Sequence, residues 1–282
     1  MKKKIAIIGS GIAGLTIANL FKANSNFEIM VYEKEKILSL EEGYGIQLAP
    51  NSISILNKIG FLNINNNNLF NPLVLNFYSG DDKKICNLDL SNFNSEKIKY
   101  TTLRRSTLIE FLKSNLFANN IRFGKEISKV SKIKEKLLIN FKDNTNDLVD
   151  YIVVSDGVFS NTKSVIENKN NNPSYSGSIA IRTLLQSTQD FIYEEKSISL
   201  IMLKNAHIVI YPVNKDRKLN IVTIIRQKLK TNIDARALIQ KEILSQNKNL
   251  ENLFKGNLES WPIYTSKKPS KSIYENLFYL GD

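Results

Sequence analysis

The first forty residues alternate between apolar runs and an amphipathic stretch in an order that predicts a strand, a helix and a second strand. Residues 4–8 are apolar and rich in β-branched side chains, which is typical of a buried parallel strand. A helix is predicted over about residues 13–23, and a second apolar run covers residues 27–33. This order predicts a βαβ unit and therefore an α/β fold.

The rest of the chain is richer in predicted strands. Three strands of a meander are predicted at 121–127, 136–141 and 150–154. Further strands are predicted at 177–182, 197–203, 207–212 and 219–225, with a helix at about 235–248 and a last strand at 276–280. We expect a Rossmann-like domain with a parallel sheet and a β-meander, interleaved with a second domain built on a β-sheet.

The composition is that of an ordinary globular protein. The 282 residues are 42% hydrophobic and 23% charged, enough for one large domain or two intertwined ones. A single cysteine, Cys86, and a single histidine, His207, leave no internal disulfide and no zinc-ligand cluster, and they favour a reducing, cytoplasmic location. No apolar run approaches the roughly 20 residues that span a bilayer, so we expect no transmembrane segment, while peripheral membrane contact stays open.

The net charge of +12 raises the question of nucleic-acid binding. The lysines are scattered, however, and no segment combines arginines for base readout or aromatic residues interleaved with basic ones. We interpret the charge as a solvated, lysine-rich surface, and no nucleic-acid partner is predicted.

The first strand runs directly into a glycine fingerprint, Gly9-x-Gly11-x-x-Gly14, and the second strand ends at Glu33, about 20 residues after the last glycine. This spacing is the one a dinucleotide site needs. The first glycine permits a tight turn, the second lets a pyrophosphate approach the backbone, and the third lets the helix pack on the strand. The helix N-terminus supplies N–H groups to the phosphates, and the acid accepts hydrogen bonds from the ribose.

Because its charge would repel a 2′-phosphate, Glu33 disfavours NADP at this site. The fingerprint leaves FAD and NAD open. The cofactor-binding residues predicted here are Gly9, Ser10, Gly11, Ile12, Ala13, Gly14, Glu33 and Lys34.

Four later segments carry a resemblance to a known family. They are Gly43-Tyr-Gly-Ile-Gln-Leu-Ala-Pro-Asn51, Leu103-Arg-Arg-Ser-Thr-Leu108, Ser155-Asp-Gly-Val-Phe-Ser160 and Asn276-Leu-Phe-Tyr-Leu-Gly-Asp282. Together with the fingerprint, they resemble the FAD-dependent aromatic hydroxylases of the p-hydroxybenzoate hydroxylase and salicylate hydroxylase type. The resemblance runs over most of the chain. It implies that the dinucleotide is FAD.

The same resemblance implies the flavin-site residues. Gly45 and Ile46 would lie near the isoalloxazine or ribityl chain, and Arg105 would contact the FAD. Further cofactor contacts are assigned to Ile127, Asp156, Gly157 and Asp282. Lys163 departs from the family pattern because it stands where an arginine is expected, and it lacks the planar fork of that residue.

The resemblance also divides the chain. Residues 1–72 and 101–173 would form the FAD-binding domain, 73–100 a hairpin of the substrate domain, 174–265 the β-sheet substrate domain, and 266–282 the return to the first domain. Arg182, Tyr211 and Pro212 fall where the family places the ring pocket. His207 lies in an alternating strand, which favours a position on the sheet surface over a role as a catalytic base.

The function implied is that of an FAD-dependent monooxygenase, an oxidoreductase that hydroxylates a small aromatic or quinone-precursor-like substrate with NAD(P)H and O2. Alternatives are a flavin oxidoreductase without hydroxylation, similar to prenyl reductases, an NAD-dependent dehydrogenase, or an inactive remnant. In the family, Gly-Asp is followed by a helix with a histidine, so we expect the chain to be incomplete at its C-terminus. The sequence identifies neither the substrate nor the oligomeric state.

Overall fold

The computed structural model describes residues 2–37, 44–186, 196–229, 233–266 and 272–281. Their contacts divide the chain into two compact units, each built from segments that are separated in sequence. The first unit comprises 1–41, 108–174 and 264–282, and the second comprises 42–107 and 175–263.

The first nine strands are β1 (Lys3–Ile8), β2 (Phe27–Tyr32), β3 (Gly45–Leu48), β4 (Leu69–Phe70), β5 (Val74–Ser79), β6 (Lys84–Asp89), β7 (Thr101–Arg104), β8 (Ile121–Arg122) and β9 (Ile127–Ile133). The other strands are β10 (Lys136–Phe141), β11 (Asn146–Val149), β12 (Tyr151–Val154), β13 (Ser174–Gln186), β14 (Ser197–Leu203), β15 (Ala206–Pro212), β16 (Lys218–Arg226), β17 (Glu259–Thr265) and β18 (Leu277–Tyr279). The α-helices are α1 (Ile12–Lys22), α2 (Pro50–Asn57), α3 (Arg105–Ser114), α4 (Asn161–Glu167) and α5 (Ala235–Ile239). A π-helical segment follows at Gln240–Leu244, and short 3-10 helices occur at Phe61–Asn63, Asn66–Asn68, Leu90–Phe93, Ala118–Asn120 and Lys248–Phe254.

The first unit is built on a five-stranded sheet in the order β18-β12-β1-β2-β8, and the pairs within it are parallel. The middle strands are almost fully apolar because parallel strands are covered on both faces. An antiparallel meander, β9-β10-β11, joins the same apolar core. Since β12 lies beside β1, the loop that follows β12 is brought next to the glycine turn that follows β1.

The second unit is built on a seven-stranded sheet in the order β17-β13-β16-β15-β14-β5-β6. One sheet face packs against α5, the π-helical segment and the last 3-10 helix to form a core rich in isoleucine and leucine. Alternate residues of the strands therefore point away from this core. A small sheet, β3-β7-β4, completes the unit.

The α/β fold class is confirmed, with a parallel Rossmann-like sheet, a meander and an additional β-sheet. Three sequence predictions were wrong in detail. The third strand of the predicted meander, at 150–154, lies in the parallel sheet as β12, and the meander is formed by β9, β10 and β11. The predicted strand at 121–127 is broken at Gly124, whose φ of +70° does not fit a strand, so that β8 ends at Arg122 and β9 begins at Ile127. The predicted helix at 235–248 stops being α-helical at Ile239 and continues in π-helical form to Leu244.

The contact units place residues 42–72 and 101–107 with the second unit, whereas the sequence-based division assigned them to the cofactor domain. The assignment of functional domains stays a prediction. Among the helices that the structure describes, none is both long and apolar enough to cross a membrane.

Candidate functional site

Two glycines of the fingerprint are required by the protein itself. Gly9 has a φ of +100°, and a Cβ at this position would lie 2.7 Å from the carbonyl oxygen of Ser155. A Cβ on Gly14 would overlap the carbonyl oxygen of Gly9. The turn and the close approach of α1 to β1 therefore both depend on missing side chains.

The middle glycine, Gly11, is different. It precedes α1 with an ordinary φ of −73°, and within the described ranges no heavy atom lies within 4 Å of its added Cβ. No side chain in the described part of the chain caps this helix, and its first turn carries no acid. Because the first N–H groups of a helix lack intrahelical acceptors, α1 presents unpaired donors and partial positive charge next to open space.

Glu33 follows the end of β2 and is tied to the glycine turn. Its Oε2 accepts hydrogen bonds from the backbone N–H of Ser10 at 2.8 Å and from the Ser10 hydroxyl at 2.7 Å. Its Oε1 accepts one from the N–H of Glu35 at 3.0 Å. Each carboxylate oxygen has further lone-pair capacity, so the oriented carboxylate can accept hydrogen bonds from a bound diol.

Asp156 supplies a second carboxylate from the loop after β12. The loop is held to β1 because the backbone N–H and the hydroxyl of Ser155 donate to the carbonyl oxygen of Ile8, at 2.8 and 2.9 Å. Asp156 Oδ1 is buried and has no hydrogen-bond partner among the described residues. A buried, unpaired carboxylate oxygen is costly, which makes this atom suited to accept a hydrogen bond from a ligand.

These groups line one cleft of about 190 Å³ in the first unit. Of the predicted cofactor residues, the cleft brings together Gly9, Gly11, Glu33, Lys34, Ile127, Asp156 and Gly157. Ser10, Ile12, Ala13 and Gly14 belong to the adjoining turn and helix start. Lining residues that the sequence reasoning missed are Ile8, Tyr32, Lys125, Glu126, Ser155, Phe159, Asn161 and Thr162. Of these, only Ser155 and Phe159 belong to a motif recognised in the sequence, the segment 155–160. The local sequence around the others gave no indication of a cofactor contact.

Lysines at the cleft are partly neutralised by acids. Lys125 pairs with Asp143, and this hydrogen bond, together with those from Thr145, lowers the pKa of the Asp143 carboxyl to about 2. Lys34 lies 3.9 Å from Glu35, and both side chains are exposed. Lys163, which stands where the resemblance leads us to expect an arginine, has its Nζ 5.9 Å from the centre of the Tyr279 ring. Asp282 lies outside the described residues.

The second unit holds a separate polar cluster around Gly45, at the start of β3. The N–H of Gly45 donates to Oδ1 of Asn220 at 2.7 Å, and a Cβ on Gly45 would lie 2.7 Å from both Asn220 and the Tyr211 ring. Tyr211 and Asn220 are directly opposite on β15 and β16. Burial raises the pKa of the Tyr211 phenol, and the Arg182 charge acts in the opposite direction.

Arg182 belongs to the same cluster. Its guanidinium lies 5.8 Å from the ring centre of Tyr44 and 5.6 Å from that of Trp261, and these two rings make an edge contact at 5.1 Å. Its Nε is buried without a partner in the described ranges. The guanidinium is thus held by aromatic faces, with a donor left for a ligand.

The other predicted residues of this unit have structural contacts. Pro212 accepts a hydrogen bond on its carbonyl oxygen from the Thr102 hydroxyl. Arg105 begins α3, and its backbone N–H donates to the Tyr44 carbonyl at 2.7 Å. Ile46 pairs with Leu103 in the small sheet. The roles of these residues toward a ligand stay predictions.

Residues 7–41 match the sequence family described as the NAD(P)-binding Rossmann-like domain. A 3-amino-4-hydroxybenzoate 2-monooxygenase of Streptomyces platensis is 25% identical over 217 residues, which cover 75% of this chain and 54% of that protein. A 6-hydroxynicotinate 3-monooxygenase of Bordetella bronchiseptica is 25% identical over 67% of this chain and 49% of its own length. The crystal structure of HpxO from Klebsiella pneumoniae, complexed with FAD and uric acid, superposes with a TM-score of 0.85 at 16% identity, over 98% of this chain and 72% of that one.

The glycine turn, the fold and these relatives point to one class of protein: the chain is similar to FAD-dependent monooxygenases over two thirds to three quarters of its length. It spans about half the length of the curated relatives that it matches.

Proposed function

We propose that this protein is an FAD-dependent monooxygenase that hydroxylates a small aromatic substrate with NAD(P)H and O2. The observation that carries the proposal is the cleft of the first unit, where the open face of Gly11, the uncapped start of α1 and the carboxylate of Glu33 meet. These are the groups that a dinucleotide needs, and the relatives that match most of the chain are monooxygenases.

The residues of the cleft fit the adenosine diphosphate part of FAD. The first-turn N–H groups of α1 would hold the pyrophosphate, and Gly11 leaves room for it to reach the backbone. Glu33 would accept hydrogen bonds from the adenosine ribose, with Ser10 keeping its carboxylate in place. Asp156 Oδ1 would accept a hydrogen bond from a hydroxyl of the cofactor, which relieves its burial.

When bound, the flavin supplies the redox chemistry, accepting electrons from NAD(P)H and activating O2. The protein residues bind and orient. In the second unit, Arg182 offers a donor beside the aromatic rings of Tyr44 and Trp261, an arrangement suited to a planar ring with polar substituents. The Tyr211 ring lies next to Gly45. Pro212, Gly45, Ile46 and Arg105 are included in the proposed site as the resemblance implies. The substrate is proposed only as a class, small aromatic molecules such as those in the names of the relatives.

The decisive experiment supplies the purified protein with FAD, NADH or NADPH, and 18O2, and offers it 3-amino-4-hydroxybenzoate, 6-hydroxynicotinate and urate. We expect a hydroxylated product that carries one 18O atom. NAD(P)H oxidation that yields a reduced organic product without 18O would contradict the proposal and favour a flavin reductase. A Gly11→Val variant, in which the side chain fills the space for the pyrophosphate, is the matched inactive control.

A further inference from the structure

The amide of Asn220 is completely buried, and its two ends have unequal partners. Its Oδ1 accepts the N–H of Gly45 at 2.7 Å, while its Nδ2 is buried with no hydrogen-bond partner in the described part of the chain. The N–H of Gly45 fixes which end is the acceptor, since a donor cannot face the amide NH2. The orientation leaves two N–H donors without acceptors, and buried donors are rarely left so.

The position of Asn220 in the sheet places it beside the polar residues described above. Asn220 is opposite Tyr211 on β15 and opposite Leu184 on β13. Arg182, two residues before Leu184, shares the face of Asn220, because side chains two apart along a strand lie on the same face. This face is turned away from the larger apolar core, to which the alternate residues Leu219 and Ile221 of β16 belong. Tyr211, on the face of Asn220, packs in a second and smaller apolar cluster with Leu90, Ile198 and Val213.

Two buried donors, Asn220 Nδ2 and Arg182 Nε, therefore lie without partners on one face of adjacent strands. Tyr211 belongs to β15, which lies between β14 and β16. It is directly opposite Asn220, on the same face of the sheet, and is 4% exposed. Diagonal neighbours on paired strands are about 7–8 Å apart, close enough for long side chains to reach one ligand.

We infer that Asn220 is a specificity residue with two functions: Oδ1 holds the start of β3 through Gly45, and Nδ2 donates to an oxygen acceptor, a carboxylate or carbonyl, on the aromatic substrate. The inference rests on the proposed function and deepens it, because it assigns a substituent that the substrate carries. An aromatic ring that lacks such an acceptor leaves the Asn220 donor buried and unpaired, and is bound more weakly for that reason.

Two substitutions of Asn220 test the roles of its Oδ1 and its Nδ2. Asn220→Asp keeps an acceptor for the N–H of Gly45 but replaces the donor by a carboxylate oxygen. Asn220→Leu removes both ends at similar volume. Thr223→Val is the control, because Thr223 is a fully buried residue of the same strand on the opposite face.

The probes are 3-amino-4-hydroxybenzoate and 2-aminophenol, which differ by the carboxylate. Their binding to the full chain is measured by calorimetry, with and without saturating FAD. We expect the wild type and Thr223→Val to prefer the carboxylate ligand, and both Asn220 variants to bind it at least about 10-fold more weakly, the loss of one hydrogen bond to a charged group. Binding of 2-aminophenol to Asn220→Asp should stay within about 3-fold of wild type.

If Asn220 only supported the fold, the binding measurements would give a different result. If Asn220→Asp binds the carboxylate ligand like the wild type, or if it loses both ligands equally, the donor role is contradicted. It is also contradicted if the wild type binds neither probe. Absence of FAD binding, in contrast, would contradict the proposed function, while the titrations without FAD would still test Asn220.

Discussion

Ser10 and Glu33 form a double hydrogen bond, through the backbone N–H and the hydroxyl of Ser10, at 2.8 and 2.7 Å. The bond joins the glycine turn after β1 to the acid after β2, and it orients the carboxylate before any ligand binds. The serine between the first two glycines therefore holds the acid of the proposed site in place.

Glu33→Gln is expected to weaken FAD binding by roughly 10-fold to 100-fold, because a neutral amide accepts hydrogen bonds from ribose hydroxyls less strongly than a carboxylate does. Ser10→Ala should weaken it less, since the backbone N–H of Ser10 still holds Glu33. Flavin fluorescence titration measures both. Equal affinity of the Glu33→Gln variant and the wild type would remove Glu33 from the site.

Gly14→Ala and Gly11→Ala should have opposite effects on the free energy of unfolding. The Cβ at residue 14 overlaps the carbonyl oxygen of Gly9, so we expect a loss of about 2 kcal/mol or more in the free energy of unfolding. Residue 11 has an ordinary φ and open space, so alanine there should stabilise the free protein by about 0.5 kcal/mol. The FAD affinity of Gly11→Ala should nevertheless fall. Urea unfolding and FAD titration of the two variants test this contrast, and a destabilised Gly11→Ala protein would speak against it.

The fingerprint could be predicted from sequence because its geometry is local. Three glycines, one helix start and one strand end define it within 25 residues. Most of the other residues of the cleft are more than 90 positions away, such as Lys125 and Asn161. They reach it only because β8 and β12 lie on either side of β1 and β2. No periodicity marks such residues.

In the second unit, too, contacts between residues that are distant in sequence could not be predicted. Arg182 and Tyr211 were proposed from the resemblance, but Asn220 was not, because an asparagine within an apolar strand looks like an ordinary sheet residue until its partner Gly45, 175 residues away, is known. The break at Gly124 and the π-helical segment at Gln240–Leu244 also escaped prediction.

Asp156→Asn should separate binding from stability. Because Asp156 Oδ1 is buried without a partner in the described residues, loss of its charge is expected to leave the free protein equally stable or more stable, and to weaken FAD binding. Asp150 is the matched control. Its carboxylate accepts the N–H of Lys4 at 2.8 Å and pairs with Lys3, so Asp150→Asn should destabilise the protein without a specific effect on FAD. If Asp156→Asn were less stable than Asp150→Asn, the assignment of Asp156 to ligand binding would be contradicted.

His207, the single histidine, gives a direct test of pH dependence. It is half-buried on β15, and burial lowers its pKa below the ordinary histidine value of about 6.5. The folded state therefore resists protonation, so stability should be full above pH 6.5 and should decrease as the pH falls toward the folded pKa. The one histidine C2–H resonance in NMR reports that pKa, and His207→Gln should abolish this part of the pH dependence. A histidine pKa above 6.5 would be inconsistent with the burial.

The proposed FAD site is tested most directly by titrating the purified protein with FAD and then competing with ADP. We expect one saturable FAD site per chain, displaced by ADP, because the cleft between Gly11, Glu33 and Asp156 is assigned to the adenosine diphosphate half of the cofactor. Failure to bind FAD, or FAD binding that ADP does not displace and Gly11→Val does not weaken, would contradict it.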